Sequence, residues 1–124
     1  MPQTPMQPEQ KLLDTELALS QVGDEGVLHD MLGMLQESLA RDVPDISQLL
    51  ARGEVDSANR LLHAIKGFIP IFCNAGLCSE VERVELMSKP PHSAELPVAY
   101  AALRPRLEQL QAEVVAHLSG SASA

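Results

Sequence analysis

Apolar residues recur at helical spacing through most of this chain, and short polar runs with glycine or proline separate these segments. The longest segment combines Val27, Leu28, Met31, Leu32, Leu35 and Leu39 with Ile46, Leu49 and Leu50. Residues at this spacing share one stripe of a helix, which neighbouring helices can bury. No cluster of β-branched and aromatic residues alternates with a period of two, so no strand is predicted. The chain is therefore predicted to be all-α.

Five helices are predicted, and the breaks between them set their approximate ends. They cover residues 11–21, residues 24–50, a segment that starts at 55–57 and ends at Pro70 or by residues 74–76, residues 77–88, and residues 98–118. Pro44 and Pro105 also lie inside predicted helices, where proline is expected to bend or divide a helix. One short helix followed by longer ones with short connections predicts an antiparallel up-down four-helix bundle with an additional short N-terminal helix.

The two ends of the 124-residue chain differ from its middle, which has the length of one domain. Residues 1–10 are polar and contain three prolines, so a flexible tail or the stub of a linker is expected there. Residues 11–118 form the predicted helical domain. Residues 119–124 are Ser, Gly and Ala only, and a flexible C-terminal tail is predicted for them.

The charge balance argues against several classes of function. There are 17 Asp and Glu residues against 9 Lys and Arg residues, which gives a formal net charge of −8. An acidic chain without a basic stripe is poorly suited to nucleic acid or to an anionic membrane surface. No apolar run approaches the ~20 residues of a membrane span, and the N-terminus lacks a signal-peptide pattern. A cytoplasmic protein without membrane insertion is expected.

Metal-binding residues are too scattered to predict a metal site. Cys73 and Cys78 lie five positions apart, whereas His29, His92 and His117 occur singly. A structural zinc site needs four ligands at suitable spacing. The two cysteines are therefore interpreted as small hydrophobic residues, and a disulfide between them is no better supported than a metal site.

The third predicted helix presents a histidine on its outer side. Its buried stripe consists of Leu62, Ile65, Ile69 and Phe72, and its outer stripe consists of His63, Lys66, Gly67 and Pro70. An exposed histidine keeps a ring nitrogen accessible, and a lysine one turn later can balance the charge of an arriving phosphoryl group. A glycine in mid-helix costs about 1 kcal/mol relative to Ala, and room for a partner protein would explain it. This arrangement suits a phosphate acceptor.

The segment from His63 through Lys66 to Gly67 resembles the His-x-x-Lys-Gly motif of the histidine-containing phosphotransfer (HPt) domain family of multistep phosphorelays. The resemblance extends over roughly residues 11–118, because the order of helices and the turn at Gly53 are also similar. It implies that His63 accepts a phosphoryl group from a receiver-domain aspartate and passes it to the receiver of another response regulator. Lys66 would stabilise the phosphoryl charge, and Gly67 would give the partner access.

The resemblance also assigns a role to Glu85. By that match Glu85 would accept a hydrogen bond from the second ring nitrogen of His63 and fix its tautomer. From the residues alone, it is equally consistent with the sequence that Glu85 is a solvated charge on the helix surface. The chain departs from the family at Phe68, Pro70 and Cys73, where small residues and glycines are common. Phe68 and Ile71 are either core residues or an apolar contact for a partner.

Partners and cofactors follow from the same resemblance. It implies a protein without autonomous kinase activity and without a cofactor of its own, since the partner receiver domain would supply Mg²⁺. The partners would be receiver domains of response regulators or a hybrid sensor kinase. A monomer is expected, because the reactive face must stay open. The chain would be a free-standing protein or the cytoplasmic C-terminal module of a membrane sensor kinase.

Two other functions compete with this interpretation. The dimerisation and phosphoacceptor domain of sensor kinases has an acidic residue after its histidine and a proline five residues on, where this chain has Ala64 and Phe68. The second alternative is a helical adaptor or scaffold in which His63 carries no phosphate, and no residue of the sequence excludes it. An autonomous enzyme is not supported, because Glu80, Glu82 and Glu85 spread around one helix without a convergent base or nucleophile.

Overall fold

A computed structural model describes residues 11–123 and contains five α-helices, with no strand in that part of the chain. The helices are α1 (Thr15–Val22), α2 (Glu25–Ala51), α3 (Val55–Phe72), α4 (Ala75–Met87) and α5 (Leu96–Ser123). The prediction of an all-α fold with five helices is confirmed. The predicted N-terminal tail, residues 1–10, lies outside the described residues, as does Ala124.

The four longer helices pack around one aliphatic core. Helices α2 and α4 each contact both α3 and α5, and α1 packs against α2 and α3. The largest fully buried apolar side chains are Leu32, Leu39, Ile46, Leu62, Ile65, Ile69, Leu77, Leu96, Leu103, Leu107 and Leu110. Burying one such side chain contributes roughly 1.5–3 kcal/mol, so a core of this kind needs few aromatic residues.

The start of the domain is held by a contact distant in sequence, and α1 consequently begins later than predicted. Leu13 and Cys73 form an isolated antiparallel bridge. The N–H of Asp14 donates to the carbonyl of Phe72 at 2.7 Å. Residues 11–14 are therefore paired with the connection between α3 and α4 and do not join the helix. The Asp14 carboxylate then caps α1 by accepting a hydrogen bond from an N–H of its first turn.

Prolines lie inside three helices without dividing them. Pro44, Pro70 and Pro105 all fall within continuous helical segments. Of the two outcomes expected at Pro44, a bend or a division, the structure excludes the division, and α5 packs alongside this region of α2. There the hydroxyl of Tyr100 donates to the carbonyl of Val43 at 2.8 Å. Packing against α5 therefore stabilises the part of α2 in which Pro44 lacks a backbone N–H donor.

Helix α5 is longer than predicted at both ends. It begins at Leu96 and extends to Ser123, so the backbone of residues 119–123 is helical where a tail was predicted. Extending an existing helix adds one backbone hydrogen bond per ordered residue, and it avoids the free-energy cost of nucleating a new helix. The flexibility of this end stays a prediction.

Among the described residues, no helix combines the length and the apolar character that crossing a bilayer requires.

Short connections place α3 beside α2 and α4. The turn from α2 to α3 contains Gly53, whose φ of 76° lies in the left-handed region that favours glycine. Asn74 caps α4 by accepting a hydrogen bond from the N–H of Leu77 at 2.9 Å. Helices α2 and α4 thereby cover part of α3, and the candidate site lies on the face of α3 that stays exposed.

Candidate functional site

Helix α3 separates its buried and exposed residues as the sequence predicts. The buried residues of its apolar stripe are Leu62, Ile65, Ile69 and Phe72. On the outer stripe the side chain of His63 is 66% exposed, that of Lys66 is 32% exposed, and Gly67 and Pro70 are exposed. The imidazole ring of His63 is therefore open to a second protein.

A buried carboxylate lies directly behind this histidine. Glu85 belongs to α4, next to the buried residue Val84, and its side chain is only 1% exposed. It is not a solvated surface charge, which was one of the two interpretations of the sequence. Removing a carboxylate from water costs several kcal/mol unless charges and hydrogen bonds compensate. The partners of Glu85 therefore decide whether it can stay ionised.

Glu85 has four side-chain partners, and two of them, His63 and Lys66, are predicted site residues. Its Oε2 lies 3.3 Å from Nδ1 of His63 and accepts a hydrogen bond from Nδ2 of Asn59 at 3.2 Å. Its Oε1 accepts a hydrogen bond from Nζ of Lys66 at 3.4 Å. The ammonium group of Lys89 lies 3.8 Å from Oε2. One carboxylate thus joins the histidine to two cations.

These contacts keep Glu85 ionised despite its burial. Burial by itself raises the pKa of this carboxyl, but the hydrogen bonds from Asn59, His63 and Lys66 outweigh that effect, and the pKa lies below its ordinary value. An ionised carboxylate only accepts hydrogen bonds. The neutral ring of His63 is therefore expected to carry its proton on Nδ1, facing Glu85, which leaves the lone pair of Nε2 free.

A second layer of polar groups fixes the position of Glu85. Asn59 also donates to the hydroxyl of Ser88 at 2.7 Å, and that hydroxyl donates to the backbone carbonyl of Glu85 at 2.6 Å. Ser88 is fully buried. Asn59 and Lys89 were not predicted as site residues, although each lies four positions from a named site residue. Side chains four positions apart can become neighbours along a helix or at its end, and this spacing was the signal available.

Gly67 has no structural role that the fold explains. It lies in the middle of α3, and a Cβ added there would meet no heavy atom within 4 Å. Alanine would therefore fit, and the cost of about 1 kcal/mol that glycine imposes on a helix has no internal compensation. The proposed role in partner access stays a prediction, and the open space around Gly67 agrees with it.

The residues at which the chain departs from the family pattern belong partly to the core. Phe68 and Ile71 are half-buried and pack against it. Cys73 is buried and Cys78 is half-buried, both thiols are free, and burial raises the pKa of each. They are therefore poor nucleophiles.

In the described part of the chain, no group of three or more His, Cys, Asp or Glu residues is placed to hold a metal ion.

The apolar residues in the first half of α2 are mostly buried. Leu28, Leu32 and Leu35 are buried and Met31 is partly buried, whereas Met34 is 66% exposed. The leucines are therefore core residues and cannot form a docking patch.

Comparisons of this chain with protein-family models, with curated proteins and with solved structures found no match. The resemblance to the HPt family therefore rests on the His-x-x-Lys-Gly motif and the order of helices alone.

Proposed function

We propose that this protein is a phosphorelay intermediate in which His63 accepts a phosphoryl group from a receiver-domain aspartate and passes it to another receiver. One observation carries the proposal: an exposed histidine has its Nδ1 held by a buried carboxylate, with a lysine one turn away. No described residue is hydrogen-bonded to Nε2 of His63, so this nitrogen is available as the nucleophile.

The proposed transfer uses His63 as a neutral nucleophile. The lone pair of Nε2 attacks the phosphorus of an aspartyl phosphate, and the new N–P bond forms as the P–O bond to the aspartate breaks. The aspartate leaves as a carboxylate. Because Nδ1 keeps its proton, the phosphorylated ring carries positive charge, which the adjacent Glu85 carboxylate stabilises. Transfer to a second receiver reverses these steps, with its aspartate as the nucleophile.

The two lysines balance the negative charge that the phosphoryl group brings. Side chains on a helix tilt towards its N-terminus, so Lys66 leans back from its own turn towards His63. Lys89 approaches the same carboxylate from the end of α4. Cations held near developing phosphoryl charge lower the barrier to transfer. The receiver supplies the Mg²⁺, and no cofactor of the protein's own is proposed.

The proposed architecture is an antiparallel up-down bundle of α2 to α5 with α1 as an additional short helix. The connections between helices are short, and each of the four longer helices contacts two of the other three. Both features support this arrangement. A single reactive face suits a monomer that meets receivers one at a time. The proposed location is the cytoplasm, either as a free-standing protein or as the C-terminal module of a hybrid sensor kinase.

The test is phosphoryl transfer from a panel of phosphorylated receiver domains from the same organism. Wild-type protein should acquire phosphate that is labile in acid and stable in base, and His63→Gln should acquire none. His29→Gln is the matched control, because His29 is also an exposed histidine on a helix. If no receiver in a complete panel transfers phosphate to wild type, the phosphorelay proposal fails. The scaffold function then takes its place.

A further inference from the structure

Arg60 lies one turn before His63 on the exposed face of α3. Residues three apart on a helix are neighbours, with about 5–6 Å between their Cβ atoms. Because side chains tilt towards the helix N-terminus, Lys66 leans towards His63 whereas Arg60 leans away from it. Arg60 therefore lies one turn from the phosphate acceptor on the side opposite Lys66, and its side chain does not lean over the ring.

Arg60 makes no ion pair with any other residue in the described part of the chain. Four other arginines do: Arg41 with Asp42, Arg52 with Glu54, Arg104 with Glu108, and Arg106 with Glu80. Asp56, four residues before Arg60, would be a suitable partner on the same helix. It lies instead 3.0 Å from Nε2 of His92. A protein with 17 acidic residues thus leaves this arginine unneutralised beside its reactive histidine.

We propose that Arg60 is a docking residue for an acidic surface of the receiver domain and takes no part in the transfer step. This inference rests on the proposed function. A phosphorylated receiver presents a phosphoryl group with two negative charges, and the carboxylates that hold Mg²⁺ surround it. The net charge of −8 on this chain repels such a surface, so attraction at the exposed face of α3 orients the encounter.

Arg83 provides a matched control for Arg60. It is also exposed, and it also makes no ion pair with another described residue. It lies on α4 two positions before Glu85, which places it about 160° around the helix from that carboxylate. Arg60→Glu and Arg83→Glu change the net charge equally, so a difference between the two variants reports the position of the charge.

The experiment measures the initial rate of phosphoryl transfer against the concentration of a phosphorylated receiver, at low and high salt. At low salt, Arg60→Glu should lower the second-order rate constant about tenfold relative to Arg83→Glu, because charges at the rim of an interface act on association. The saturated rate should be unchanged. In about 1 M salt, where the screening length is about 3 Å, the two variants should become equal.

Three results would overturn the inference, and they are distinguishable. Equal rates for the two variants at low salt would remove the docking role while leaving the proposed function intact. A lower saturated rate in Arg60→Glu than in Arg83→Glu would instead place Arg60 in the transfer step. Absence of transfer to wild type from every receiver would remove the proposed function and this inference together. Thermal unfolding of each variant verifies that its fold is retained.

Discussion

Replacing Gly67 by alanine should stabilise the protein and impair its function at the same time. A Cβ at this position would meet no heavy atom within 4 Å, so Gly67→Ala introduces no clash. In an exposed helix interior, alanine is about 0.8–1 kcal/mol more favourable than glycine. For a domain of this size, that gain raises Tm by about 4 °C. The added methyl group occupies the surface that a receiver would approach, so we expect transfer to slow about tenfold.

Gly33→Ala is the matched control for this experiment. Gly33 lies inside α2, and a Cβ there would also meet no heavy atom within 4 Å. Thermal unfolding followed by circular dichroism should show a similar rise in Tm for both variants, and only Gly67→Ala should transfer phosphate slowly. Equal transfer rates would refute the access role of Gly67. A lower Tm for Gly67→Ala would refute the argument that nothing within the fold requires this glycine.

Two further predictions concern the groups behind His63. The pKa of Glu85 is lowered in the folded protein, so its stabilising contribution is present above the unfolded value of about 4.3 and is lost as the pH falls through the folded pKa. Urea unfolding of Glu85→Gln and wild type should therefore differ at pH 7 and converge in acid, once the pH lies below the folded pKa; a difference independent of pH would contradict this linkage. Asn59→Ala removes a hydrogen-bond partner of both Glu85 and Ser88 and should lower the free energy of unfolding by about 1–3 kcal/mol. An unchanged urea midpoint would show that the buried pair does not need Asn59.

The faces of α3 could be predicted because they depend on local spacing. Four apolar residues at helical intervals define its buried stripe, and His63 falls outside that stripe. The same argument predicted the number and type of the helices, since each carries its own apolar periodicity. The proximity of Glu85 to His63 was expected only from the family resemblance. Its alternative, a solvated charge, was equally compatible with the sequence.

The remaining features depend on contacts between residues distant in sequence. Leu13 pairs with Cys73, so local helix propensity could not place the start of α1. The partners of Glu85 lie on α3 and just beyond the end of α4, and nothing in the sequence distinguishes Asn59 and Lys89 from ordinary surface residues. A polar residue at the border between the buried and the exposed side of a helix can be solvated, or it can be buried with a partner. Only tertiary packing decides between these outcomes.

The most direct test of the account locates the phosphate on the protein itself. Wild-type protein would be incubated with phosphorylated receiver domains from the same organism, and ³¹P and ¹⁵N NMR of the product would identify the phosphorylated atom. The account predicts one phosphoramidate, on Nε2 of His63, because Glu85 holds Nδ1 on the opposite side of the ring. Phosphate on Nδ1 of His63, or on any other residue, would contradict the proposed role of this carboxylate and histidine.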